Sequence, residues 1–483
     1  MMDIHIIDIS IFVIYLLFML GVGLYFMRKN KTEEDYYVGG RNMSASHIGL
    51  SVVATDVGGG FSIGLGGLGF MMGLSGSWML FTGLIGAWIS TIFLIPKIYP
   101  IAKQHQFLTF PQSLGFHYNK KVALVAGIIS LIGYVGFTSS QILAGAKLAA
   151  ATFPSFSIND AVLIMGVIAV AYTVVGGIKA VIYTDTIQWI ILMVGLVGIG
   201  IPIGFIKIGG WEAISATVPA NFMSLSNISF VQLFNWFITI IPIWFVGMTL
   251  YQRIYACKDE KTAIKAWRIA GLFEWPIMAF MGIALGLFAR VAFEQGLFTE
   301  AGYAPGSALD AELGLPLLLR TILPIGLMGL MMSAYFSAIM STADSCLMAA
   351  SGNFTTDILG FYKKGQNNNS VRNSQIITLV IGVLAVILAT NMQNVLELML
   401  YSYAFMVSGL LVPVIGMLAL KKPSSLAALV SMVLGGSTTL GLIISKLELP
   451  FELDANFFGI SVSALSFVVV QIYTRNKGLQ VPE

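Results

Sequence analysis

Asp56 stands in an otherwise apolar, glycine-rich run, Ser51-Val-Val-Ala-Thr-Asp-Val-Gly-Gly-Gly-Phe61. A carboxylate at membrane depth costs about 2.5–3.5 kcal/mol on insertion scales, so it marks an ion or substrate path. A second set of oxygen-bearing residues lies in Ser337-Ala-Ile-Met-Ser-Thr-Ala-Asp-Ser345. Ala338, Ser341 and Thr342 fall at i, i+3 and i+4 and share one helical face. Ser341, Asp344 and Ser345 repeat that spacing one turn on. Carbonyl, hydroxyl and carboxylate oxygens in this pattern suit a hard monovalent cation. The competing account is that such hydroxyls bond their own backbone or pack at small-residue interfaces. It suits Ser337 well and Asp344 poorly, because a charge needs a partner. A third carboxylate, Asp185, in Tyr183-Thr-Asp-Thr-Ile-Gln188, either caps the helix it opens or joins an ion site.

The elements that must position these residues are membrane helices. The chain is 57% hydrophobic and 10% charged, against about 25% charged in soluble proteins. Hydropathy gives about thirteen spans. Asp56 falls in the second, Ile48–Leu74, and Asp185 opens the sixth, Thr186–Ile206. The hydroxyl stripe lies in the ninth, Leu315–Leu347. Gly58, Gly59 and Gly60 break the second span. Pro242 and Gly247 break the seventh, Phe230–Leu250. Unwound backbone at that depth must face protein or a water-filled cavity. The two breaks are an odd number of spans apart and therefore cross in opposite directions. That pattern predicts inverted repeats with a site at their interface. The expected divisions are 1–44 (first helix and loop), 45–208 (spans two to six), 229–420 (spans seven to eleven) and 421–483 (two last spans and a tail).

About 21 of the 26 basic residues, Arg253 among them, fall in loops on one side. The positive-inside rule makes that side cytoplasmic, with the N-terminus outside and the C-terminus inside. The net charge of +3 carries no nucleic-acid signature, and the surrounding partner is lipid. A phosphate-binding Gly-x-x-x-x-Gly-Lys-[Ser/Thr] loop does not occur, which disfavours an ATP-driven pump. Cys257 and Cys346 imply no disulfide framework, and the four histidines show no metal spacing. The first apolar run reads as a membrane anchor.

At these residues the chain resembles the sodium:solute symporter family. Four stretches carry the resemblance: Asp35-Tyr-Tyr-Val-Gly-Gly-Arg-Asn42, Ala54-Thr-Asp-Val-Gly-Gly-Gly60, Tyr172-Thr-Val-Val-Gly-Gly-Ile-Lys-Ala180 with Tyr183-Thr-Asp-Thr-Ile-Gln188, and Ala338-Ile-Met-Ser-Thr-Ala-Asp-Ser345. The resemblance implies a leucine-transporter-type 5+5 inverted repeat and sodium-coupled uptake by alternating access. It implies transport and not catalysis, with no obligate protein partner. It places the principal sodium site on backbone oxygens of Ala54, Val57 and Ala338 and hydroxyls of Ser341 and Thr342. A further sodium site of some members falls on Asp185, Ser341, Asp344 and Ser345.

The solute is expected to be a small zwitterion or organic cation, with a proline-like amino acid as the leading reading. Asp56 is expected to face an amine. The half-helix starting near Gly58 and Gly59 would hold a carboxylate, because its free N–H groups and dipole favour an anion. Trp78, Phe137, Trp244, Tyr401 and Tyr403 are candidate walls, with Gln141 and Gly247 beside them. For each aromatic, plain helix packing is an equal alternative. Choline-like cations, sugars and carboxylates remain alternatives, as do a proton-coupled transporter and a membrane sensor.

Overall fold

The computed structural model describes residues 5–28, 32–56, 58–153, 156–362 and 371–477. Val57, an expected sodium ligand, lies outside them, as does the side chain of Asp56. The described secondary structure is helical, apart from a single bridge between Met43 and Cys257. Helix α1 (Ile6–Met27) precedes a broken pair, α2 (Ala45–Asp56) and α3 (Gly59–Met72). Then come α4 (Trp78–Phe93), α5 (Lys120–Thr152) and α6 (Ile158–Leu192). The second broken pair is α7 (Phe230–Val246) and α8 (Met248–Ala256), bent by 41°. It is followed by α9 (Glu260–Leu272), α10 (Ala279–Glu294), α11 (Ala311–Ile322) and α12 (Leu327–Gly352). The last four are α13 (Val371–Ala389), α14 (Val395–Ala419), α15 (Ser425–Ser445) and α16 (Ala455–Asn476).

Among the described residues, nine helical stretches are long and apolar enough to cross a membrane, ten with the bent pair. This count is smaller than the thirteen read from hydropathy, and the reason is physical. The break at Gly58 leaves two halves of 12 and 14 residues. The polar stripe of α12 dilutes its hydropathy, and α12 is not among the nine. Of the helices that carry candidate chemistry, α2 and α12 are thus outside the nine, whereas α5 and α14 are among them.

Two boundaries differ from expectation. The ninth span divides, because α11 ends before Pro324 and Gly326 takes φ 87° ahead of α12. Proline lacks the N–H that would continue the helix. The sixth span does not begin at Thr186. Helical structure runs through from Ile158 to Leu192 with a kink at Gly177 (φ 65°, ψ 176°). Asp185 thus lies about two turns beyond the kink, inside a helix, and the capping alternative falls.

Side-chain size sets the packing. α12 lies against α5 and α6 and also touches α2, α3 and α8. It therefore meets both halves of the first broken pair and the second half of the other. α3 packs closely on α10: a Cβ added at Gly286 would sit 2.0 Å from the Gly66 carbonyl oxygen. Small residues let such helix backbones touch where lipid offers no hydrophobic gain for association.

Candidate functional site

The break between α2 and α3 opens onto α12. Gly58 approaches so closely that a Cβ there would lie 1.7 Å from Thr342 Oγ1. Only glycine leaves room for that hydroxyl. Ser341 Oγ donates to the Ala54 carbonyl at 3.0 Å. Thr342 Oγ1 lies 2.9 Å from the Thr55 carbonyl oxygen, 3.2 Å from that of Ala54 and 3.4 Å from that of Ala338. One hydroxyl proton serves one of these three acceptors well, so oxygen lone pairs outnumber protons. Ser341, Thr342, Thr55, Ala54 and Ala338 are all buried. Buried neutral oxygens at a helix break are the ligand type that a cation site in a transporter uses. Ala54, Ala338, Ser341 and Thr342 thus come together as the sequence led us to expect. The Thr55 carbonyl is an addition that side-chain spacing did not reveal.

One turn further along α12 the chemistry changes. Arg253, in α8, is fully buried, although its charge had placed it in a cytoplasmic loop. Its Nε donates to Ser51 Oγ at 2.9 Å and its Nη1 to the Thr249 carbonyl at 3.2 Å. Its Nη2 reaches Thr55 Oγ1 at 2.5 Å, Ser345 Oγ at 2.7 Å and Asp185 Oδ2 at 3.2 Å. Ser51 Oγ also donates to Asp185 Oδ2. Burial of a guanidinium requires such a partner, because an unpaired charge costs several kcal/mol. Asp185 and Ser345, expected at a further sodium site, are both bonded to Arg253 Nη2. Asp344 turns to α6, where Thr173 Oγ1 donates to Oδ1 at 2.5 Å. Asp185 Oδ1 and Asp344 Oδ2 are buried without a hydrogen-bond partner. Ser51 and Arg253 were missed as site residues. The signal for Arg253 was its position six residues after the Gly247 break, within one span.

A third group of residues joins the two breaks. Tyr134, Phe137 and Gln141 stand at i, i+3 and i+7 on α5 and share a face. A Cβ added at Gly59 would lie 3.2 Å from Gln141 Oε1. The Phe137 ring meets Tyr403 of α14 edge to face, with centroids 4.9 Å apart. The Tyr134 hydroxyl lies 3.1 Å from Thr249 Oγ1 and accepts from the Thr249 N–H, also at 3.1 Å. A Cβ at Gly247 would lie 3.3 Å from the same hydroxyl. Gly58, Gly59, Phe137, Gln141, Gly247 and Tyr403 are thus neighbours, and Tyr134 and Thr249 belong with them. The i, i+3, i+7 spacing was the available signal for Tyr134.

The other candidate walls lie elsewhere. Trp78 starts α4, packs on Phe81 and donates from Nε1 to the Leu225 carbonyl at 2.8 Å. Trp244 is fully buried, but it faces Gly86 of α4 and Trp267 of α9. Its helix bends after it, so proximity in sequence to Pro242 did not aim it at the break. Tyr401 is two residues from Tyr403 on the same helix and therefore points away from it. It donates to Glu397 at 2.5 Å and lines a cavity of 620 Å³ with Trp236, Glu312 and Asp454. In the structure Trp78 and Trp244 take packing positions, the stated alternative, and Tyr401 lines a cavity wall.

A helical bundle with two broken spans meeting at an oxygen-rich site defines a class of membrane transporter. Residues 36–435 match the model of the sodium:solute symporter family, and the chain belongs to that family. It is therefore a sodium-coupled symporter with multiple membrane spans. It is similar to the sodium/proline symporter of Escherichia coli (strain K12), 26% identical, covering 81% of this chain and 79% of the relative. The osmoregulated proline transporter OpuE of Bacillus subtilis (strain 168) is 26% identical, covering 96% and 94%. The sodium/glucose cotransporter of Vibrio parahaemolyticus is 28% identical, covering 92% and 86%. Among solved structures, the substrate-bound outward-open state of a Na+-coupled sialic acid symporter has the same fold. Its TM-score is 0.80 at 21% identity, covering 98% of each chain.

Proposed function

We propose that this protein imports a small zwitterionic amino acid, proline or a related osmolyte, driven by sodium. The observation that carries the coupling is the convergence of the Ser341 and Thr342 hydroxyls on the Ala54, Thr55 and Ala338 carbonyls. Sodium would bind there, with Val57 completing the shell. The names of the Escherichia coli and Bacillus subtilis relatives support proline as the solute. The solute would lie between the two breaks, against Gly58, Gly59, Phe137, Gln141, Gly247 and Tyr403. Asp56 would meet its amine, and the N-terminal end of α3 would meet its carboxylate.

The same reading assigns about thirteen spans, with 45–208 and 229–420 as inverted repeats around the site. Residues 1–44 would precede them and 421–483 would follow. The N-terminus would lie outside and the C-terminus in the cytoplasm. Sodium bound at the junction of α2 and α12 would fix the first broken pair against the helices packed on it, so ion and solute favour one state together. Linkage then raises each one's affinity by the factor that the other's rises.

Proteoliposomes test the reading. Radiolabelled proline should accumulate when sodium is outside, and a negative interior should speed uptake. Each sodium crossing 100 mV supplies about 2.3 kcal/mol. Uptake that ignores replacement of sodium by potassium and follows a pH gradient would reject sodium coupling. Sodium-dependent uptake of glucose without proline uptake would move the substrate to the sugars.

A further inference from the structure

We infer that the basic face of the protein carries an anion site, a notch that takes a phosphate group from an anionic lipid headgroup or from free inorganic phosphate. The notch is a cavity of 60 Å³ whose lining includes Arg41, Tyr99, Lys103, Gln106, Cys257 and Lys258. It has room for a few water molecules, or for one phosphate group in their place. Basic pockets between helices on the cytoplasmic side are where lipid phosphates bind. The inference is independent of the sodium site and of the solute, and takes from the reading above only that this face is cytoplasmic.

The walls come from three segments, and neutral carbonyls tie them together. Arg41 Nη2 donates to the Phe107 carbonyl at 2.8 Å, and Lys103 Nζ to the Lys258 carbonyl at 3.2 Å. The Tyr99 hydroxyl donates to the Cys257 carbonyl at 3.0 Å. Three of the lining residues are basic and none is acidic. Among the described residues, neither Lys103 nor Lys258 has an ion-pair partner, while Arg41 gives its Nε to Glu34 at 2.7 Å. The carboxylates that follow Lys258, Asp259 and Glu260, lie outside the lining. Asp259 caps α9, accepting from the Thr262 N–H at 2.7 Å.

Backbone conformation marks the same place. Arg41 and Gln106 each hold φ 54°, two of the five described non-glycine residues with positive φ. Gly39 and Gly40, at φ 63° and 74°, lead into Arg41, so the chain turns left-handed for three residues to deliver it. Strain of this kind gathers at ligand sites. A solvated belt of basic residues explains why lysines lie on this side. It does not explain why strained backbone brings side chains to one notch.

The place bears on transport. Arg41 precedes α2 and Lys258 follows α8, and the Met43 N–H donates to the Ala256 carbonyl between them at 3.0 Å. Lys103 belongs to a third element, the helix Ile95–His105. A phosphate held by all three would clamp the ends of both broken pairs to that helix. It would favour the arrangement seen here over one in which they part.

Cys257, a buried free thiol in the lining, reports occupancy. Maleimide labelling of Cys257 is followed by peptide mass mapping on the purified protein, without sodium or solute. One arm adds inorganic phosphate in detergent, against chloride at equal ionic strength. The other uses nanodiscs of phosphatidylcholine with graded phosphatidylglycerol. Saturable protection in either arm is expected, and the arm that protects names the source. In Lys103→Gln with Lys258→Gln, both exposed positions, the half-protecting concentration should rise about thirtyfold. The pair Lys103→Arg with Lys258→Arg should protect like wild type, as should Lys120→Gln with Lys121→Gln, which removes charge elsewhere. Wild-type protein unprotected in both arms overturns the inference, as does equal protection in the Lys103→Gln, Lys258→Gln variant. An equal loss in the Lys120→Gln, Lys121→Gln variant also overturns it, since general surface charge would then suffice. None of these failures touches sodium coupling, which the uptake assay decides.

Discussion

Two oxygen clusters lie one helical turn apart on α12, and they differ in one respect. Around Thr342 the oxygens are neutral and exceed the available protons. Around Ser345 similar oxygens are met by a guanidinium and an aspartate. The hydroxyls of the first cluster meet backbone carbonyls, whereas the Ser345 hydroxyl meets a guanidinium. Both are built from α2 and α12, so the backbone does not make the difference. It comes from α8, which sets Arg253 against Ser345, and from α6, which sets Asp185 against Arg253. Arg253 alone ties α2, α6, α8 and α12 together through side-chain bonds.

The largest effect should come from breaking the pair of Arg253 and Asp185. Asp185→Ala leaves Arg253 buried and unpaired, which costs about 3–5 kcal/mol. A fall in melting temperature in detergent, and little surface expression, are the expected outcomes. The double variant Asp185→Asn with Arg253→Gln should recover part of that loss. A single variant as stable as wild type would show that the pair contributes nothing to the fold.

Next is Gly58→Ala. The new methyl carbon would overlap Thr342 Oγ1 at 1.7 Å, and overpacking costs about 1–3 kcal/mol. Placed against the first cluster, that strain should weaken sodium activation of uptake by about tenfold or more, since about 1.4 kcal/mol is tenfold. Melting temperature should fall less than in Asp185→Ala. Unchanged sodium activation would separate Gly58 from the ion.

Thr342→Ala and Ser341→Ala each remove one hydroxyl from the first cluster while leaving its carbonyls. The concentration of sodium for half-maximal uptake should rise about fivefold, in line with about 1 kcal/mol for a polar contact. Thr342→Ser, which keeps the oxygen, should stay near wild type. Equal sodium dependence in Thr342→Ala, Thr342→Ser and wild type would put the ion elsewhere.

The smallest effect is expected at Trp78. Its contacts are Phe81 and the Leu225 carbonyl, away from both clusters. Trp78→Phe should lose one hydrogen bond, worth about 0.5–1.5 kcal/mol of stability, and leave the half-maximal concentrations for sodium and proline unchanged. Phe137→Ala, by contrast, should raise that for proline. Similar transport by the two variants would erase the distinction between central and peripheral aromatics.

The sequence by itself determined the membrane class, the two broken spans, and the hydroxyl stripe of Ser341 and Thr342. Each is written in local chemistry: apolar run length, glycine and proline breaks, and the i, i+3, i+4 period. The family resemblance had named Ala54, and the structure sets Ser341 against its carbonyl. Local chemistry could not tell Tyr403 from Tyr401, or place Trp244, because helix rotation follows from what packs on every side. It counted Arg253 as a loop charge, because hydropathy weighs a residue without its partners. Only the tertiary structure set Arg253 against Asp185, since that pairing joins positions 68 residues apart on two helices. Its energy exists only when both are withdrawn from water together.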